Sequence, residues 1–226
     1  MSIAVCAPKH FVLKESHPLT KELYANVFGE PSPSLHRNVS RLFDVSSLTE
    51  NPALFRQVIQ FLGERYRSMG ADGPTHILGL ESRGYLIGAP LALELGIPFV
   101  LARETKRFPS SFVRESPNAT ALVPSHSIRN NSISSDSRVL IVDDFIATGK
   151  TVISVLWLTD IVGAKVVEVV AACDVPRLNG VGAIHKAGDG TFKEIPVLTL
   201  MHFKATREAI KAQLQILKPI TARSQL

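Results

Sequence analysis

Cysteine is scarce: the 226-residue chain has two, Cys6 and Cys173, far apart and outside any Cys-x-x-Cys spacing. That excludes a disulfide framework and a cysteine-based zinc motif, and it fits a reducing compartment. Seven histidines are scattered singly with no His-Glu-x-x-His pair, so the sequence assigns no transition-metal site. No apolar stretch reaches the length of a membrane span, and Lys9, His10, Lys14 and Glu15 interrupt the region where a secretion signal would need an apolar run. Long Lys/Arg runs and aromatic-rich RNA-binding signatures are also missing. The formal charge of +5 therefore points to a phosphorylated small molecule, with neither nucleic acid nor membrane as partner.

What is present is ordinary globular material, 45% hydrophobic and 20% charged, in a length that fits one α/β domain, alone or with a small appendage. Leu54, Val58, Phe61, Leu62 and Tyr66 recur at three- and four-residue steps and predict a helix between Asn51 and Met69. A Gly/Pro-rich break leads to a strand at Thr75–Leu80. Next come a helix near Tyr85–Leu95, strands at Phe99–Ala102 and Arg138–Val142, a helix at Thr151–Val162 and a strand at Val166–Ala172. Strands alternating with helices imply a parallel sheet covered on both faces, with ligands at the strands' C-terminal ends. Between Glu104 and Asp136 the Ser-, Pro- and Asn-rich sequence is too long for an ordinary connection and reads as a mobile functional loop. Ala205–Leu217 carries an amphipathic pattern, and the first 35 residues are less patterned. The chain ends in Ser224-Gln225-Leu226, one substitution from the Ser-Lys-Leu address of peroxisomal import, against which an arbitrary tail stands as the alternative.

The chemistry concentrates in Val139-Leu140-Ile141-Val142-Asp143-Asp144-Phe145-Ile146-Ala147-Thr148-Gly149-Lys150-Thr151. A buried strand, two acids at its end and a small-residue turn opening a helix make a cradle of backbone N–H groups for a phosphate monoester. Thr148 and Thr151 add hydroxyls. Two acids beside an anion site would repel phosphate, so their task is to accept hydrogen bonds from sugar hydroxyls, directly or through Mg²⁺ and water. A P-loop is excluded, because its earlier glycine would fall at Asp144.

This stretch resembles the 5-phosphoribosyl-1-pyrophosphate (PRPP) motif of the type I phosphoribosyltransferase family. The resemblance implies that Asp143 and Asp144 hold the ribose hydroxyls and that Ala147, Thr148, Gly149, Lys150 and Thr151 wrap the 5′-phosphate. Within the family, alanine at the Ala147 position marks the adenine branch, while lysine at the Lys150 position is commoner in the hypoxanthine-guanine branch. A second segment, Gly79-Leu80-Glu81-Ser82-Arg83-Gly84-Tyr85-Leu86-Ile87-Gly88, resembles the adenine branch and implies that Arg83 meets pyrophosphate. His36-Arg37-Asn38-Val39-Ser40-Arg41-Leu42-Phe43-Asp44-Val45-Ser46-Ser47 resembles the adenine-binding hood of kinetoplastid members. Backbone groups of Val39 and Arg41 would then read the base edge, with Val175 near its face.

Two departures accompany the resemblance. The segment from Phe112 to Pro124 lacks the Glu-Tyr pair that manages the purine N7 proton, leaving Glu115 as a candidate base out of register. Arg103-Glu104 stands where adenine enzymes have Arg-Lys at the diphosphate.

The resemblance thus implies a type I phosphoribosyltransferase fold with residues 1–50 as N-terminal segment and hood, 51–204 as core and 205–226 as C-terminal helix and tail. It implies Mg²⁺ carried by PRPP, a homodimer, a cytoplasmic or glycosomal location, and formation of AMP and pyrophosphate from adenine and PRPP. A weak or inactive nucleotide-binding paralogue and a 6-oxopurine enzyme are the alternatives.

Overall fold

In the computed structural model, which describes residues 2–29, 42–104, 111–113 and 126–204, the run from Val139 to Val142 is buried on both sides. Val139 and Ile141 enter one core and Leu140 and Val142 the other, as the period of two in a doubly covered strand requires. Everything else is arranged around that strand.

In chain order, β1 (Ile3–Ala7) and β2 (His10–Leu13) lead to α1 (Pro18–Asn26), the short pair β3 (Phe28–Gly29) and β4 (Leu42–Phe43), α2 (Val45–Thr49) and α3 (Pro52–Arg67). Then follow β5 (His76–Leu80), α4 (Gly84–Leu95), β6 (Phe99–Glu104), β7 (Ser111–Val113), β8 (His126–Arg129) and β9 (Arg138–Ile146). The chain continues through α5 (Lys150–Val162), β10 (Lys165–Asp174), α6 (Gly180–Gly190) and β11 (Val197–His202). Nine strands form one sheet in the order β1-β2-β11-β10-β9-β5-β6-β8-β7. From β2 to β6 the neighbours are parallel; β1 at one edge and the β8–β7 ribbon at the other pair antiparallel. Helices α1 to α4 cover one face and α5 and α6 the other. This is the mostly parallel sheet flanked by helices expected from the sequence.

Helix α3 shows how the sequence builds a layer. The Asn51 side chain accepts from the Leu54 N–H, Pro52 occupies the first turn, and Leu54, Val58, Leu62 and Tyr66 turn inwards. Phe61, expected on the same stripe, is half-buried against His17, and Ile59 takes the deeper position. A bulge in β10 between Val166 and Glu168 sets Glu168 beside Leu140, on the α3 face. There its carboxylate accepts two bonds from Arg65, at 2.9 and 2.6 Å, and one from the Tyr66 hydroxyl at 2.8 Å.

The structure differs from the sequence reading in three places. Strand β9 runs on to Ile146, so Asp143 and Asp144 lie inside it; pairing with β10 continues through both acids to Asp174. The stretch from Glu104 to Asp136 is not one loop, because β8 pairs with β7 and with Arg103 and Glu104 of β6. The unpatterned N-terminus supplies two strands, β2 joining the sheet in parallel beside β11. The expected helix at Ala205–Leu217 and the Ser224-Gln225-Leu226 tail lie outside the described residues. No described helix is long and apolar enough to cross a membrane.

Candidate active site

Asp143 and Asp144 are 8% and 5% exposed near the C-terminal end of β9. The backbone N–H of Asp144 donates to Asp143 Oδ1 at 2.9 Å, while Asp144 Oδ2 is buried with no hydrogen-bond partner. Burial raises both carboxyls above the ordinary carboxylate range. The neighbouring Asp144 charge pushes Asp143 further, whereas Arg83 partly offsets the rise at Asp144. A buried acceptor without a partner is a position for a hydroxyl or metal-bound water.

Arg83 lies near enough for its charge to act on both carboxyls, and the glycine that follows it permits this placement. A β-carbon on Gly84 would lie 2.4 Å from the Val142 carbonyl oxygen, so only glycine lets α4 begin against β9. Arg83 occupies the N-cap position of α4, half-buried, with no side-chain cap. Its neighbour Glu81 faces away from anion duty: Glu81 Oε2 accepts from the backbone N–H of Glu104 at 2.7 Å, fastening the end of β6. Arg103 is half-buried and Glu104 exposed there, and the Tyr85 hydroxyl donates to the Ala102 carbonyl at 2.8 Å.

Ala147, Thr148 and Gly149 form the turn between β9 and α5, and Lys150 and Thr151 open the helix. Gly149 has φ of 78° and caps α5 with no side-chain hydrogen bond, leaving the first-turn N–H groups for a ligand. The turn is braced from below: a β-carbon on Gly180 would meet the Ala147 carbonyl oxygen at 2.4 Å, and one on Gly149 the Gly180 carbonyl oxygen at 2.5 Å. Gly180 was missed in the sequence, although the Asn179-Gly180 dipeptide is a turn signal.

Beside the acids, Phe145 stacks on Phe43 with ring centroids 5.1 Å apart and meets Phe203 edge-on at 6.1 Å. Val175 is buried in the same cluster. The structure thus gathers Arg83, Asp143, Asp144 and the 147–151 turn, with Val175 close by in sequence to the end of β10. Val39, Arg41 and Glu115 lie outside the described residues.

Residues 44–185 match the model of the phosphoribosyl transferase domain. The chain belongs to the phosphoribosyltransferase family. Among family members, the adenine phosphoribosyltransferase of Methylibium petroleiphilum is 31% identical over 201 residues, covering 89% of this chain and 95% of its own. The structure of the Leishmania tarentolae adenine phosphoribosyltransferase superposes with a TM-score of 0.78 at 37% identity, over 92% of this chain and 98% of that one. The Trypanosoma brucei adenine enzyme, in complex with AMP, pyrophosphate and ribose-5-phosphate, gives 0.78 at 34% identity over 89% and 87%. This phosphoribosyltransferase is therefore similar to adenine enzymes, kinetoplastid ones among them.

Proposed function

We propose that the chain transfers the 5-phosphoribosyl group of PRPP to adenine, forming AMP and pyrophosphate. The observation that carries this is Arg83 set against the buried Asp143–Asp144 pair, one turn of chain from an uncapped helix N-terminus. Three demands of the substrate meet three separate groups. The 147–151 turn binds the 5′-phosphate, the acids accept from the ribose 2′- and 3′-hydroxyls, and Arg83 with Arg103 neutralises the departing diphosphate. Cleavage at the anomeric carbon passes through an oxocarbenium-like state, so holding ribose and leaving group apart and in line is the main catalytic work. The unpartnered Asp144 Oδ2 fits a water of PRPP-borne Mg²⁺. When bound, that ion supplies charge neutralisation at the diphosphate. Val39 and Arg41 would read the adenine edge, with Val175 and the Phe43–Phe145 stack beside the base. Support for adenine comes from Ala147 and from the names of the relatives.

A second reading has its own observation. Glu104, engaged through its N–H by Glu81, places a negative charge where the family's pattern has lysine, which favours a chain that binds nucleotide with little turnover. Steady-state assay of the purified full chain with Mg²⁺, PRPP and adenine, hypoxanthine or guanine decides. AMP from adenine alone is the expected result. IMP or GMP would assign a 6-oxopurine enzyme, and AMP binding by calorimetry without any product would assign the binding paralogue.

A further inference from the structure

Three side chains from three distant parts of the sequence converge at the β2–β11–β10 side of the sheet. One ligand atom from each of His10, Asp174 and His202 lies within 4.8 Å of the other two. Asp174 is 3% exposed, and its Oδ1 accepts from His202 Nδ1 at 2.5 Å and from Thr199 Oγ1 at 3.3 Å. His10 Nε2 is buried, has no hydrogen-bond partner and stands 3.5 Å from Asp174 Oδ2. A buried imidazole nitrogen that forms no hydrogen bond, with a carboxylate only at ion-pair distance, is costly unless something binds it.

From this geometry we infer a binding site for a divalent first-row transition ion, Zn²⁺ in the first instance, ligated by His10, Asp174 and His202. The donor set of two imidazoles and one carboxylate is of the borderline kind that such ions prefer over Mg²⁺. Spacing agrees. Two ligands about 2.0–2.1 Å from a tetrahedral ion lie about 3.3–3.4 Å apart, close to the His10–Asp174 separation. The short His202–Asp174 contact must open as the ion enters: the Nδ1 proton moves to Nε2, and the freed lone pair faces the metal. Cys6 is positioned for that exchange, with Sγ 3.5 Å from His202 Nε2, where it accepts the relocated N–H in the manner of an outer-shell partner. The fourth position is left for water.

Such an ion would join the N-terminal β2 to the ends of β10 and β11. Asp174 immediately precedes Val175 and, through its carbonyl, holds the Phe203 N–H at 2.7 Å, so the clamp fixes the backbone behind the aromatic cluster. The inference is independent of the transferase reading, because no ligand in it is a proposed substrate contact.

The test is calorimetric titration of ZnCl₂ into the metal-stripped full-length chain without PRPP, with the visible spectrum of the Co²⁺ form as a second readout. One equivalent binding with sub-micromolar affinity is expected, with a four-coordinate Co²⁺ spectrum. His10→Gln and His202→Gln should each weaken Zn²⁺ at least about tenfold, the lower end of what losing an outer partner alone costs. Asp143→Asn should leave the Zn²⁺ affinity unchanged. Binding no tighter than that of Mg²⁺ overturns the site. So does Zn²⁺ binding that survives both histidine substitutions or disappears in Asp143→Asn. Should a histidine variant fail to fold, the Co²⁺ spectrum of the unaltered chain decides, an octahedral spectrum counting against the site.

Discussion

Gly84 lies against the carbonyl oxygen of Val142, so close that a β-carbon would stand 2.4 Å from it. The contact sets where α4 begins, and with it where Arg83 points. Gly84→Ala must push the helix away from β9 and Arg83 from the acids. A loss of at least about a hundredfold in kcat/KM follows from a misplacement near 1 Å, with a stability cost of about 1–3 kcal/mol for overpacking. Kinetics and urea unfolding of the same variant measure both. Unchanged kinetics would show that the Arg83 position does not depend on this contact.

The buried acids should make the free protein less stable as pH rises. Both have folded-state pKa values above the ordinary 3.8, so between 3.8 and those higher values the folded chain holds protons that the unfolded chain has lost. Stability therefore declines as pH climbs through that window. Asp143→Asn keeps the acceptor for the Asp144 N–H and removes one charge. The variant should melt higher than the parent at neutral pH, by about 2–4 °C for each kcal/mol relieved, with a flatter pH profile and much lower activity. A lower melting temperature with activity intact would contradict both roles.

Glu168 holds α3 to the sheet through Arg65 and Tyr66. Glu168→Ala leaves the half-buried Arg65 guanidinium and the buried Tyr66 hydroxyl without their acceptor, and a buried polar group left unsatisfied costs about 1–3 kcal/mol. Denaturant unfolding measures the loss. A change within about 0.5 kcal/mol, ordinary for surface positions, would mean that the triad contributes nothing.

Glu104 is exposed beside Arg103, so its effect is long-range and screened. Glu104→Lys should lower KM for PRPP several-fold at low ionic strength, with the advantage shrinking as salt is added. A salt-independent change would point to rearrangement of the Glu81 contact instead.

The sequence made the centre of the site legible because its chemistry is contiguous. The run from Val139 to Thr151 carries strand, acids and turn together, and Gly79–Gly88 carries Arg83 with its glycine. Strand, turn and helix appear in that order, with β9 four residues longer than the spacing predicts. What stayed hidden depends on distant partners. Asp143 and Asp144 looked like the end of a strand because aspartate is depleted in strands, yet β10 continues to pair with them. The Phe43–Phe145–Phe203 cluster and the His10–Asp174–His202 group draw on residues more than a hundred positions apart, and no local period encodes such meetings. Strands β7 and β8 were hidden by a polar composition that read as loop.

The most direct test of the account is adenine-dependent AMP formation by the unaltered chain and by Arg83→Met, a change that removes the guanidinium and keeps much of the side-chain length. Turnover by the parent and a fall of about a hundred- to a thousandfold in kcat for the variant, the usual cost of removing one charge-stabilising donor, is the predicted result. Equal rates in the two proteins would contradict the assignment of Arg83 and the Asp143–Asp144 pair as the transferase site.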